Sequence, residues 1–433
     1  MKYYSTNKKA PAVDLRTAVT TGLAPDNGLY MPEHISVMPD SFYRNIHGMK
    51  LTEIATEIAT QFFKDDISGS ELKALVEDAL NFEIPLVNVH DDIHTLELFH
   101  GPTLAFKDVG ARFMARLLGH FTKGSSRNIN VLVATSGDTG SAVANGFYKV
   151  PGIKVFILYP KGLVSPIQEK QFVTLGENVT AIEVEGRFDD CQKLVKDAFL
   201  DKELNEALTL TSANSINLAR LLPQSFYYFY GYSQLKASGK KVICSVPSGN
   251  FGNLCAGLIA KKMGLPIHTF LAATNANDIV PQYLSSGTYS PRPSVATLSN
   301  AMDVGNPSNF TRILDLYGGS IDAIRADIKG FHYTDEETKQ TIRDVYKTHQ
   351  YLLEPHGAIG YKALAEYMKG KTGCTGFFIE TAHPAKFTES MEPIINGPVP
   401  MPDRLKKLLN GTKKSEPLKN DINALKALLL KHA

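Results

Sequence analysis

The sequence predicts an α/β protein with mostly parallel sheets, behind an N-terminal section of its own. Two observations carry this. From about residue 129 onward, short β-rich runs alternate with helical stretches, the pattern of strands joined by crossover helices. Several of those runs are apolar at successive positions rather than alternate ones, as in Val131-Leu132-Val133-Ala134, which fits strands buried on both faces. With 433 residues, 43% hydrophobic and 21% charged, the chain can fill two or more domains.

Residues 1–95 are expected to form the N-terminal section. Asp26-Asn27-Gly28 predicts a tight turn into a short extended piece, Tyr30-Met31-Pro32. Leu51–Ala59 places apolar residues at helical spacing, and Ser70–Leu80 reads as a second helix opened by a serine cap. The next helix is expected over 109–120, with Asp108 as its N-cap. Strands are expected at 129–134, 154–159, 179–185, 241–246, 267–272 and 376–380. Helices follow the first of these from Ser141, the third from Asp189 to Phe199, and the fourth through Met263. Roughly the last thirty residues are basic without interleaved aromatics, which predicts a solvated helical tail rather than a nucleic-acid patch.

One stretch carries the reactive candidate. Glu97-Leu98-Phe99-His100-Gly101-Pro102-Thr103-Leu104-Ala105-Phe106-Lys107-Asp108 is mostly apolar, bends at Gly101-Pro102, and holds one lysine at a loop-to-helix junction. A lysine among apolar neighbours is desolvated when charged, so its pKa falls and its amine becomes nucleophilic. A lysine that forms a Schiff base needs that setting. The plain alternative is a lysine snorkelling from a helix start.

Two strand-to-helix turns lie at the carboxyl ends of strands, where ligands bind in α/β sheets. They are Ser136-Gly137-Asp138-Thr139-Gly140 and Ser248-Gly249-Asn250-Phe251-Gly252-Asn253. Glycine lets the backbone approach closely, and a helix N-terminus offers unpaired N–H groups to an anion. The second turn has no acidic residue, as a phosphate site requires. Asp138 in the first argues against direct phosphate binding there. Neither is a GxGxxG or a P-loop, and each also reads as a plain α/β turn. Thr211–Arg220 packs polar groups after an apolar strand. Arg220 either binds a phosphate or carboxylate bidentately or lies on the surface. In Glu380–Phe387, Thr381 is a hydrogen-bond candidate for a bound ring. His383, like His100, is either an acid–base group or a structural histidine.

A net charge of +2 gives no reason to expect nucleic acid or an anionic membrane as partner. The four cysteines, Cys191, Cys244, Cys255 and Cys374, form no C-x-x-C, so no zinc site or redox pair is expected. Their scatter fits a reducing compartment. No apolar run is long enough to span a bilayer, and the N-terminus lacks a signal-like apolar core. A cytoplasmic protein without a bound metal is expected.

Seven ordered stretches resemble the threonine synthase family, in its longer variety. They are Glu97–Asp108, Thr135–Ala142, Tyr159–Lys170, Ser212–Arg220, Val246–Asn253, Thr297–Met302 and Thr381–Phe387. Ala18–Pro32 matches as well. The resemblance implies a pyridoxal 5'-phosphate enzyme of the tryptophan synthase β family, fold type II. It implies two α/β domains with the cofactor in the cleft between them. A smaller domain, about 120–230, is inserted in a larger one formed by about 96–119 and 231–400. The implied reaction converts O-phospho-L-homoserine and water to L-threonine and phosphate by γ-elimination and β-hydration.

By the same resemblance Lys107 bonds the cofactor and then carries protons at the α and β carbons. Gly249, Asn250, Phe251, Gly252 and Asn253 are implied as the cradle of the cofactor phosphate. Asp138 stands near the ring hydroxyl, where many relatives carry asparagine, and Thr381 beside the pyridine nitrogen. Arg220, Lys161, Ser136 and Thr139 are candidates for the substrate phosphate, and Ser136, Gly137 and Thr139 for its carboxylate. Asn214 completes the substrate-binding set. A threonine or serine ammonia-lyase is disfavoured by the long N-terminal section and the Ser212–Arg220 run. A silent relative that only binds a phosphorylated metabolite is disfavoured by Lys107. A monomer or homodimer is expected.

Overall fold

The computed structural model describes residues 1–124 and 127–432. β1 (Tyr3–Ser5) pairs antiparallel with β2 (Tyr30–Pro32), the extended piece that follows the Asp26 turn. Asp26 holds that turn by accepting from Ser5 Oγ and from the N–H groups of Gly28, Lys9 and Ala10. Helices Leu51–Phe63 and Gly69–Ala79 follow; the cap of the second is Ser68 rather than Ser70. Ile54, Ile58, Phe62, Leu72 and Val76 share one apolar core with Phe113 and Leu117 of the helix Lys107–Thr122. The N-terminal section is thus packed onto the helix that begins with the candidate lysine.

β3 (Leu86–His90) and β4 (Ile93–Glu97) form an antiparallel hairpin turned at Asp91, whose φ is 44°. β5 (Ile129–Ala134), β6 (Ile153–Pro160), β7 (Val179–Glu185) and β8 (Thr209–Ser212) are mutually parallel. β9 (Lys241–Pro247), β10 (Ile267–Thr274), β11 (Ile328–His332) and β12 (Cys374–Glu380) are parallel too. β13 (Ser415–Lys419) comes last. The larger sheet runs β11-β10-β9-β12-β4-β3 and the smaller β13-β7-β6-β5-β8. All six residues of β5 are buried, as a strand covered on both faces requires.

Three elements differ from the sequence reading. The boundary expected at residue 95 falls inside β4, because the larger sheet starts at Leu86. Asn88, His90, Asp91, Asp92 and His94 dilute the apolar pattern of that hairpin. The C-terminal tail is not only a solvated helix. β13 pairs with β7, and the helix Ile422–His432 buries Leu425, Leu428 and Leu429. Ser415-Glu416-Pro417-Leu418-Lys419 has one apolar residue and a proline, which an edge strand tolerates and a period-2 pattern does not reveal. Asp108, finally, is not an N-cap. The helix begins at Lys107, and the Asp108 carboxylate turns back to accept from Thr103 N–H at 2.8 Å and Thr103 Oγ1 at 2.7 Å.

The carboxyl ends of the two sheets face each other. Lys386, after β12, bonds to Asp138, after β5; Asn250, after β9, bonds to Ser215, after β8. The cleft between the sheets lies where those ends meet.

Candidate active site

Lys107 follows a loop held in an unusual shape. Leu104, 1% exposed, has φ of 59°, a left-handed conformation that a bulky residue adopts only when its surroundings enforce it. The enforcement is visible. Phe106 N–H donates to Thr381 O at 2.8 Å, and His383 N–H donates to Leu104 O at 3.1 Å. The lysine loop is thereby stitched to the segment after β12. Burial pushes the Lys107 amine down, against the pull of Asp138 at 3.8 Å; the charges of Lys386 and Arg220 add to the lowering. Burial thus shifts this amine toward its nucleophilic form, with the Asp138 carboxylate opposing the shift.

Asp138 opens the helix Asp138–Phe147 and is held between two lysines. Lys386 Nζ lies 2.6 Å from its Oδ1, and Gln168 Nε2 donates to the same oxygen at 2.8 Å. Burial raises this carboxyl, but the charges of Lys386 and Lys107 outweigh it and hold Asp138 well below the usual carboxylate range. Lys386 itself is fully buried and donates to Thr103 O at 2.8 Å. Sequence reasoning missed it. The signal was there, since Lys386 stands between Ala385 and Phe387 at a strand's carboxyl end, the setting that singled out Lys107.

The second turn forms an anion cradle. Phe251 has φ of 60° and the helix Gly252–Lys262 starts directly after it. Among the described residues, no group accepts from the N–H of Gly249, Asn250, Phe251, Gly252 or Asn253. A nest of free N–H groups at a helix N-terminus is suited to phosphate. Asn250 fixes the loop by donating to Ser215 Oγ at 2.7 Å and accepting from Ser308 N–H at 2.7 Å. A Cβ on Gly249 would stand 2.6 Å from Met302 Cα, so this position admits no side chain without moving backbone. The Thr297–Met302 stretch is therefore the floor of the loop.

Arg220 is buried, 4% exposed, and packs against the lysine's helix, where a Cβ on Gly110 would meet Arg220 O at 2.7 Å. The guanidinium is not on the surface. It bonds Ala213 O, while its Nε and the nearby Asn214 Oδ1 are buried without partners. Burial lowers Arg220 to about 10, so it stays charged at neutral pH. Ser136 and Thr139 are half-buried, and Gly137 has φ of 146°. Lys161, by contrast, is exposed in the turn after β6.

Thr381 Oγ1 donates to Glu354 Oε1 at 2.8 Å, and Glu354 also accepts from Gly357 N–H and His356 N–H. Two histidines have structural partners. His100 Nε2 is 2.7 Å from Glu97 Oε2, and His383 Nδ1 accepts from Ala385 N–H at 3.1 Å. Burial, with the charges of Arg404 and His100, lowers His383 to about 4. Its unfolded value is near 6.5, so between about pH 6.5 and 4 the unfolded chain binds the extra proton and stability falls as pH falls. About 3 kcal/mol is at stake over that window. His383→Gln is expected to flatten the loss, measured by urea unfolding at pH 7 and pH 4.5.

Three family models match the chain. One described as pyridoxal-phosphate dependent enzyme covers residues 89–374, one as threonine synthase N terminus covers 2–80, and one as threonine synthase, C-terminal, covers 357–429. The threonine synthase of Haemophilus influenzae is 46% identical over 435 residues, spanning 100% of both chains. That of Escherichia coli is 44% identical over 436 residues, again 100% of both. Among solved structures, threonine synthase from Escherichia coli superposes with a TM-score of 0.93 at 43% identity over 100% of both chains. The pyridoxal-phosphate-bound threonine synthase from Brucella melitensis gives 0.95 at 36% identity, covering 100% of this chain and 99% of that one. A fungal L-serine ammonia-lyase from Rhizomucor miehei, with a TM-score of 0.54 and 12% identity over 71% of this chain and 98% of that one, shares the fold alone.

Proposed function

The chain belongs to the threonine synthase family of pyridoxal-phosphate-dependent enzymes, and from that premise we propose how its residues divide the work. The reaction is conversion of O-phospho-L-homoserine and water to L-threonine and phosphate. The observation that carries the assignment of residues is the part-buried Lys107 at the meeting point of the two sheets, 3.8 Å from Asp138, with its pKa lowered by desolvation.

The cleft fits pyridoxal 5'-phosphate. It offers an amine with a lowered pKa for the aldehyde, a nest of unpartnered N–H groups for the phosphate, and a hydroxyl, Thr381, on the segment bonded to the lysine loop. When bound, the cofactor supplies an electron sink for negative charge developing on the substrate carbons. Lys107 holds the cofactor and then moves the protons that leave Cα and Cβ. Gly249, Asn250, Phe251, Gly252 and Asn253 seat its phosphate. Asp138, kept ionised by Lys386, sits 3.8 Å from the lysine and orients its amine. Arg220 is assigned to the substrate phosphate that departs from Cγ, together with Ser136, Thr139 and Asn214, and Gly137 leaves room for the carboxylate. Lys161, exposed on the rim, is the weaker candidate for the same anion. Supplying O-phospho-L-homoserine and assaying both phosphate and threonine tests the reading; phosphate release without threonine would overturn it.

Two further outcomes follow from the geometry. Arg220→Ala is expected to lower kcat/KM by roughly 10- to 100-fold with cofactor absorbance unchanged, the worth of a hydrogen bond to a charged group. Arg220→Lys recovers only part, since the planar fork is lost. Gly249→Ala is expected to weaken cofactor binding by about tenfold or more. Gly252→Ala costs less, because its Cβ would meet only side chains, Asn309 Nδ2 at 3.3 Å and Ser215 Cβ at 3.5 Å. Absorbance titration of the apoprotein ranks the two.

The protein is read as cytoplasmic, and as a monomer or homodimer. Four free thiols, three of them buried, support a reducing compartment. No helix among the described residues is long and apolar enough to cross a membrane. Sedimentation at micromolar concentration distinguishes the two oligomeric states.

A further inference from the structure

Arg312, in the helix Phe310–Leu316, is fully buried. Its donors all meet neutral acceptors. Nε and Nη2 donate to Tyr30 O at 3.2 and 3.0 Å, and Nη2 also to Ile216 O at 2.6 Å. Nη1 donates to Ser215 O at 3.3 Å and Asn309 Oδ1 at 2.7 Å. Among the described residues it forms no ion pair. Asp315, one turn along the same helix, is engaged by Tyr4 Oη and by Lys8 Nζ at 3.3 Å. Cys255, on the helix behind the cradle, is pushed up to about 12 by burial and is a neutral thiol. A guanidinium buried with no counter-ion is a costly arrangement. The fold keeps it, and its place explains why.

Asn309 accepts from Arg312 through Oδ1, which turns its Nδ2 toward Ser215 Oγ at 3.2 Å. The same Ser215 Oγ accepts from Asn250 Nδ2 at 2.7 Å. Asn309 Nδ2 also lies 3.3 Å from where a Cβ of Gly252 would be. The bare cation is therefore one side chain away from the loop whose five N–H groups lack acceptors. We propose that Arg312 is the fixed counter-charge of the cofactor phosphate, acting through Asn309 and Ser215 on the Gly249–Asn253 loop and not by contact. This rests on the reading of that loop as the phosphate cradle. Arg312 also ties the cradle to β2 through Tyr30 O, so the N-terminal section helps to seat the cofactor. In this role Arg312 is a positioning residue.

The test uses the holoenzyme and two variants. Arg312→Gln is expected to weaken pyridoxal 5'-phosphate by roughly tenfold or more, since the charge is lost in a poorly screened site. Arg312→Lys loses the planar fork, and burial without a counter-ion drives its ammonium toward neutrality, so its affinity is expected to fall between wild type and Arg312→Gln. The phosphorus-31 resonance of the bound cofactor supplies a readout that a purely structural arginine would not move. A phosphate monoester takes its second proton near pH 6 in water. In wild type the bound phosphate is expected to remain a dianion below that pH, and in Arg312→Gln its titration is expected to move upward. A folded Arg312→Gln with wild-type affinity and an unmoved resonance would overturn the proposal. If Arg312→Gln does not fold, titration of the wild-type bound phosphate near its solution value would overturn it alone. Gly249→Ala separates the two levels of failure. Cofactor retained in that variant removes the loop as the cradle; cofactor lost there but kept in Arg312→Gln removes only the role of Arg312.

Discussion

Lys107→Ala is expected to stay folded and to lose threonine formation by about four orders of magnitude. Two losses coincide. The amine that bonds the cofactor is gone, and so is the group that moves protons at Cα and Cβ, a role worth roughly 10²–10⁴-fold alone. The fold survives because Asp138 keeps the closer of its two cations. Lys386 Nζ remains 2.6 Å from Asp138 Oδ1, while Lys107 Nζ stood 3.8 Å from the other oxygen. Removing a desolvated amine also relieves the burial that drives its pKa down. Phosphate release and visible absorbance with added cofactor check the outcome. Near-wild-type turnover in a verified Lys107→Ala protein would end the assignment of this lysine.

The second large effect belongs to Lys386. Lys386→Met removes a fully buried cation from Asp138 and from Thr103 O. Deleting one partner of a buried pair costs about 3–5 kcal/mol, because the other charge is left without compensation. Here Lys107 is forced to supply the compensation. Its amine is then held charged more strongly, so the neutral form that attacks the cofactor becomes rarer at neutral pH. Stability is expected to fall by about 3 kcal/mol and the rate of cofactor attachment to shift toward higher pH. Adding Asp138→Asn to Lys386→Met removes the stranded charge and is expected to recover most of the stability. A double variant no more stable than Lys386→Met would show that the ion pair is not what the methionine disturbs.

Much of the cleft is legible along the chain because its parts are local. Gly249-Asn250-Phe251-Gly252 carries its own turn chemistry, and a strand before it and a helix after it are enough to say that N–H groups point outward. Lys107 is legible for the same reason, since its apolar neighbours are its sequence neighbours. Arg220 shows where that stops. The residues around it leave it free to face solvent or the interior, and only its packing against Gly110 and Ala213 decides for the interior. Lys386 and Arg312 show the same limit more sharply. Nothing adjacent to Arg312 says that Tyr30, 282 positions away, supplies its acceptor.

The chain by itself determines that this is an α/β protein with a lysine at a loop-to-helix junction and a glycine-rich turn at a strand's end. Periodicity, turn residues and apolar runs act over a few residues, so they can be read in order. Only the tertiary structure decides which charges share the cleft. Asp138 lies 248 positions from Lys386, and their pairing exists because the carboxyl ends of β5 and β12 are brought face to face. The edge strand β13 is decided the same way, by β7 offering unpaired backbone groups to a segment with little strand character of its own. Ion pairing and sheet addition depend on distances in space, and those are set by how the two sheets pack, a property no short stretch of sequence carries.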